Sequence, residues 1–103
     1  MKLSLINKHA IVCGSTDGIG KASALLLAKQ GCEITLVARN QDKLNKTQSE
    51  LNTNHNQKHY SVCADFDNSI DLKNKIKMHL DSLGRSVDVL VNNSGGPPGG
   101  PLF

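Results

Sequence analysis

Ala10-Ile11-Val12-Cys13-Gly14-Ser15-Thr16-Asp17-Gly18-Ile19-Gly20 reads as a short buried strand that runs into a glycine-rich turn. Residues 21–29 then read as a helix. A tight turn from strand to helix gathers unpaired backbone N–H groups and the positive end of a helix dipole at one point, a ready site for a phosphate. Gly14 permits the turn, Gly18 lets backbone approach a pyrophosphate, and Gly20 lets the helix lie close on the strand.

Outward from this turn the chain alternates strand and helix. A first strand is expected over 8–13. A first helix follows over about 18–30, with Ile19, Ala22, Leu25, Leu26 and Lys29 on the side that faces a sheet. Gly31 is a natural helix stop. Residues 33–38, rich in β-branched side chains, form a second strand. A second helix over 41–51 carries a narrow stripe of Leu44, Thr47 and Leu51, and a third strand covers 60–64. A third helix over 69–83 buries Leu72, Ile76, Leu80 and Leu83, with Asp67, Asn68 or Ser69 as its cap. Residues 87–91 are a fourth strand. This alternation with short connections argues an α/β fold: a parallel sheet with helices on both faces. The run Gly-Gly-Pro-Pro-Gly-Gly-Pro at 95–101 cannot be regular structure. The expected division is therefore a partial domain over 1–94 and a Gly/Pro-rich loop over 95–103.

A chain of 103 residues bounds the count at one domain. The net charge of +3 comes from scattered Lys and Arg, without the clustered basic face that nucleic acid requires. The apolar run Leu3-Ser4-Leu5-Ile6 is broken at once by Asn7-Lys8-His9, so no signal peptide or membrane span is expected, and a cytoplasmic protein is the default. Cys13, Cys32 and Cys63 are odd in number and form no Cys-x-x-Cys pair. They read as small buried hydrophobes in a reducing compartment. His55 and His59 have metal-site spacing but no matching ligand set, and read as solvated; His9 and His79 show no evident partner. No metal is expected.

The spacing Gly14-x-x-x-Gly18-x-Gly20, joined by Asn92-Asn93-Ser94-Gly95 after the fourth strand, resembles the short-chain dehydrogenase/reductase family. With the Gly/Pro loop included, the chain is most similar to bacterial 3-oxoacyl-carrier-protein reductase-like members. The resemblance implies a Rossmann-type sheet of strand order 3-2-1-4, truncated after the fourth strand. Ligands then bind where the order reverses, in the crevice between strands one and four.

The implied ligand is a nicotinamide dinucleotide. Its pyrophosphate would lie over Gly14, Ser15, Thr16, Gly18, Ile19 and Gly20. Ser15 would donate its hydroxyl to a phosphate, or serve only helix entry. Folds that select NAD carry an acid at the end of strand two. Here that place holds Ala38-Arg39-Asn40, and the Arg39 guanidinium suits a 2′-phosphate. NADP(H) is expected, with NAD(H) as the alternative if Arg39 is only a solvated charge. Asp17 argues the other way if it faces the ligand. Asp65 matches the family's acceptor for the adenine amino group, with Phe66 beside it; capping a helix entrance is its other explanation. Asn93, with Ser94 and Gly95, would meet the nicotinamide-side ribose, while Asn92 steadies sheet and turn. Two positions depart from the family: Cys13 stands where Thr is usual, and Ser94 where Ala is usual.

The family's chemistry uses a Tyr, a Lys four residues later, a Ser and an Asn. By resemblance all of these lie beyond Phe103. Tyr60 is followed four residues on by Ala64 and reads as structural. No catalytic residue is assigned. The expected role is the NADP(H)-binding half of an oxidoreductase whose full-length parent transfers hydride between the nicotinamide and a carbonyl/alcohol pair. Its substrate would be a small molecule or an acyl-carrier thioester, and the 103-residue chain itself should not turn over. The alternatives are a complete nucleotide-binding module without catalysis, or a remnant of a truncated gene. A fourth strand left at the sheet edge without cover also implies marginal stability and self-association.

Overall fold

The computed structural model describes residues 5–14, 16, 18–65 and 67–92. The elements run β1 (His9–Cys13), α1 (Gly18–Lys29), β2 (Glu33–Ala38), α2 (Gln41–Glu50), β3 (Tyr60–Cys63), α3 (Ser69–Leu83) and β4 (Val89–Asn92). All strand pairs are parallel and the order is β3-β2-β1-β4. The expected α/β fold and its 3-2-1-4 sheet are present.

Strand periodicity splits the core in two. Ala10, Val12, Ile34, Leu36 and Ala38 face Ala24, Ala28, Leu44 and Leu51, so α1 and α2 cover one side. Ile11, Cys13 and Val37 face Leu72 and Ile76 of α3 on the other side. Asn68 takes the cap of α3, its side chain accepting from Asp71 N–H.

The structure corrects the face assigned to α1. Ile19 is 74% exposed and Leu26 is 59% exposed. The side against the sheet is instead Gly20, Ala24 and Ala28. Small residues four apart let the helix backbone come close to the strands, which a stripe of Leu would prevent. Leu25 and Leu27 pack at the flanks, half-buried.

Three strand boundaries also shift. The ladder of β1 starts at His9 and that of β3 ends at Cys63. Strand β4 begins at Val89 rather than residue 87 and includes Asn92. Its late start has a visible cause. Asp88 N–H donates to the His9 carbonyl at 2.8 Å, but the His9 N–H goes to the Asp88 carboxylate at 2.9 Å. A side chain takes the place of a ladder carbonyl, so regular pairing opens at Ala10 with Val89. β4 then alternates half-buried and exposed residues, with Leu90 38% exposed.

The histidines differ most from expectation. His9 and His79 are not without partners: both bond Thr35 Oγ1, at 2.8 and 2.9 Å. His59 is half-buried rather than solvated, accepting Ile34 N–H at Nδ1 and bonding the Asn52 carbonyl through Nε2. His55 is exposed, as expected. Cys13 and Cys32 are buried thiols, while Cys63 is only half-buried.

Candidate dinucleotide site

Parallel pairing brings the carboxyl ends of all four strands to one edge of the sheet. The register Cys13↔Val37, Cys13↔Asn92 and Ala38↔Cys63 sets Gly14, Arg39, Ala64 and Asn92 along that edge. The order reverses at β1, which has β2 on one side and β4 on the other. The glycine turn leaves the sheet at this switch point, where open α/β sheets take their ligands.

Gly14 N–H donates to the Val37 carbonyl at 2.9 Å, and the backbone then turns away at φ 68°. Thr16 sits half-buried in the turn. Gly18 opens α1 at φ 56°, and a Cβ built on it would meet nothing within 4 Å. Ile19 is exposed beside it, while Gly20 is buried against the sheet. Among the described residues the first turn of α1 holds no acidic residue, so no described carboxylate offsets the positive end of the helix dipole. Open space over Gly18 at the start of a helix suits a phosphate pair.

Arg39 follows β2 and is exposed. Among the described residues no carboxylate pairs with its guanidinium. Its backbone carbonyl accepts the Cys63 thiol at 3.3 Å, which ties the ends of β2 and β3 together. Asn40 caps α2, its side-chain oxygen accepting Lys43 N–H at 3.0 Å, so that oxygen is committed to the helix. Asp65 is exposed and its Oδ1 accepts Asp67 N–H at 2.9 Å in the turn ahead of α3, whose cap is Asn68; Oδ2 carries no bond among the described residues. Ser15, Asp17, Phe66, Asn93, Ser94 and Gly95 lie outside the described residues, so their expected roles are neither placed nor displaced.

Sequence reasoning overlooked Lys75. Its ammonium donates to the Cys63 carbonyl at 3.1 Å and pairs with Asp71 at 3.2 Å, placing a cation beside the end of β3. The only advance signal was the four-residue spacing of Asp71 and Lys75. Cys13, at the base of the turn, is fully buried, and burial pushes its thiol up to about 11. It stays neutral and adds no charge to the site. Tyr60 stands at the opposite end of the sheet, paired in register with Thr35 and set edge-on to His79 at 5.3 Å.

The described residues can hold an anionic ligand but bring no acid–base pair to its edge. Among them no group of three His, Cys, Asp or Glu could hold a metal. No described helix is long and apolar enough to cross a membrane.

Known proteins point the same way. The very-long-chain 3-oxoacyl-CoA reductase of Bos taurus is 42% identical over 90 residues, covering 87% of this chain and 28% of that protein. The 3-ketodihydrosphingosine reductase of Bos taurus is 42% identical over 97 residues, covering 90% of this chain and 29% of that protein. The chain thus spans under a third of either relative's length. Among solved structures, L-sorbose reductase from Gluconobacter frateurii, complexed with NADPH and L-sorbose, superposes with a TM-score of 0.81 at 31% identity, over 98% of this chain and 38% of that one. The pattern of the short chain dehydrogenase family matches residues 8–102, so the glycine turn at the switch point of a 3-2-1-4 sheet carries a family membership: the chain belongs to the short-chain dehydrogenases.

Proposed function

We propose that this chain supplies the NADP(H)-binding part of a reductase that acts on a carbonyl group. The observation that carries the choice of cofactor is Arg39. Its guanidinium is exposed and engaged by no carboxylate among the described residues, at the strand end where NAD-selecting folds place an acid. A planar guanidinium pairs with phosphate oxygens in two parallel bonds, and a 2′-phosphate offers them. The dinucleotide, when bound, supplies the hydride. The chain's own part is to seat the pyrophosphate at Gly14 to Gly20 and to select the ribose at Arg39.

The names of the relatives favour a ketone on a long chain, as in 3-oxoacyl-CoA or 3-ketodihydrosphingosine. A coenzyme A thioester is supported above a carrier-protein thioester for this reason. The test is cofactor binding by the intact protein, as it stands and with Arg39→Ala. NADPH should bind at least about tenfold tighter than NADH, a difference of about 1.4 kcal/mol. Arg39→Ala should erase that gap by weakening NADPH alone. Tighter binding of NADH by the unaltered protein would refute the assignment. Turnover of 3-oxoacyl-CoA against the carrier-protein thioester then separates the two substrates.

A further inference from the structure

Three elements meet in a polar chain that the site does not use. His9 of β1 and Thr35 of β2 are wholly buried, and His79 of α3 is half-buried above them. His9 Nδ1 lies 3.2 Å from the Ser86 carbonyl, His9 Nε2 lies 2.8 Å from Thr35 Oγ1, and Thr35 Oγ1 lies 2.9 Å from His79 Nε2. A carbonyl only accepts, so His9 carries its hydrogen on Nδ1 and presents a lone pair at Nε2. Thr35 must therefore donate to His9, and His79 Nε2–H must donate to Thr35. One carbonyl sets the direction of the whole relay.

The proton count follows from this order. One added proton is accommodated in either of two ways: on His79 Nδ1, which leaves the order unchanged, or on His9 by reversal, in which His9 Nε2–H donates to Thr35, Thr35 donates to His79 Nε2, and His79 holds its hydrogen on Nδ1. A second proton leaves two N–H donors against one hydroxyl whose own hydrogen has lost its acceptor. It also places two cations with ring centroids 6.5 Å apart in a buried site.

We propose that His79, Thr35 and His9 form an acid-released latch: it clamps the C-terminal half of α3 onto the sheet while at least one imidazole is neutral, and lets go when both are charged. Burial lowers the proton affinity of each ring, and His9 lowers that of His79 further. The groups facing the relay are Glu33 of β2, Arg85, Ser86 and Asp88 ahead of β4, and Tyr60 of β3. Glu33 and Asp88 favour a charged His9, while Arg85 opposes it. Arg85 is itself bound to Glu33, which blunts both effects.

The test is amide hydrogen exchange in the intact protein, corrected for intrinsic rates, from about pH 7.5 to about pH 4, the ordinary histidine span carried further into acid because burial lowers both rings. Protection over 76–83 should fall roughly tenfold or more relative to α2. His79→Gln keeps an N–H donor for Thr35 but cannot charge, so its protection should hold at the acid end. The same acid loss in His79→Gln, or none in the unaltered protein, would overturn the latch. If that variant does not fold, nitrogen NMR of the unaltered protein decides. Nδ1–H on His9, Nε2–H on His79, and charging of both in the step that frees 76–83 support the latch. The opposite tautomers, or charging without loss of protection, refute it.

Discussion

The side-chain amide of Gln57 donates to the Ala28 carbonyl at 2.8 Å, across 29 positions of sequence. It closes the C-terminal end of α1 from a loop 94% hidden from solvent at that residue. Its oxygen accepts His55 N–H at 2.9 Å, so both ends of the amide are used. Gln57→Leu keeps the volume, leaves the Ala28 carbonyl with the Gly31 N–H at 3.0 Å alone, and takes the partner from His55 N–H. A loss of about 1–3 kcal/mol is expected in urea denaturation of the intact protein; a change within error would show that water replaces the amide.

Gly31 has φ 96°, and a Cβ there would stand 2.7 Å from Ile6 Cγ1 and 3.3 Å from the Ile6 backbone. Gly31→Ala should cost about 1–3 kcal/mol. Ile6→Ala in the same chain removes the Cγ1 contact but not the backbone strain. The double variant should therefore recover part of the loss, and thermal melts of the four-member cycle measure how much.

Thiol reactivity should sort by burial. Desolvation pushes both Cys13 and Cys32 up to about 11, with Asp88 adding to the rise at Cys32. Cys63 is half-buried at the end of β3. Iodoacetamide at about pH 8 should label Cys63 first and the other two only on unfolding, as peptide mapping by mass spectrometry would record.

Stability should fall toward acid. His9 and His79 both bind protons less readily folded than unfolded. Near the ordinary histidine value of about 6.5 the unfolded chain holds more protons, so stability rises with pH there. It is fully present above about pH 6.5 and declines as pH drops toward the lowered folded values. Denaturation midpoints at constant ionic strength check the sign; a midpoint that climbs on acidification would contradict it.

Much of this was legible in the chain. Glycine spacing at 14, 18 and 20, and the run of β-branched residues from 33 to 38, mark the switch point and its neighbouring strand without any coordinates. β2 and α3 have the expected bounds. The buried side of α1 was not legible, because hydrophobicity ranks Leu26 and Ile19 above Ala24 and Ala28, whereas close approach to a sheet ranks them by size. The partners of His9 were hidden for another reason. Thr35 and His79 lie 26 and 70 positions away, and strand register and the packing of α3 on the sheet together bring them to His9.

The stripe of Gly20, Ala24 and Ala28 sets how stiffly the glycine turn is mounted. None of these side chains has a torsion that moves a heavy atom, so rotamer exchange cannot lift α1 from β1 or let it rock. Along this stripe the spacing between helix and strand rests on backbone and methyl contact, with Leu25 and Leu27 packed only at the flanks. Thermal fluctuation at the turn is then governed by the bending of α1 as a whole, and the site keeps its aim while the exposed Leu26 and Ile19 change conformation freely.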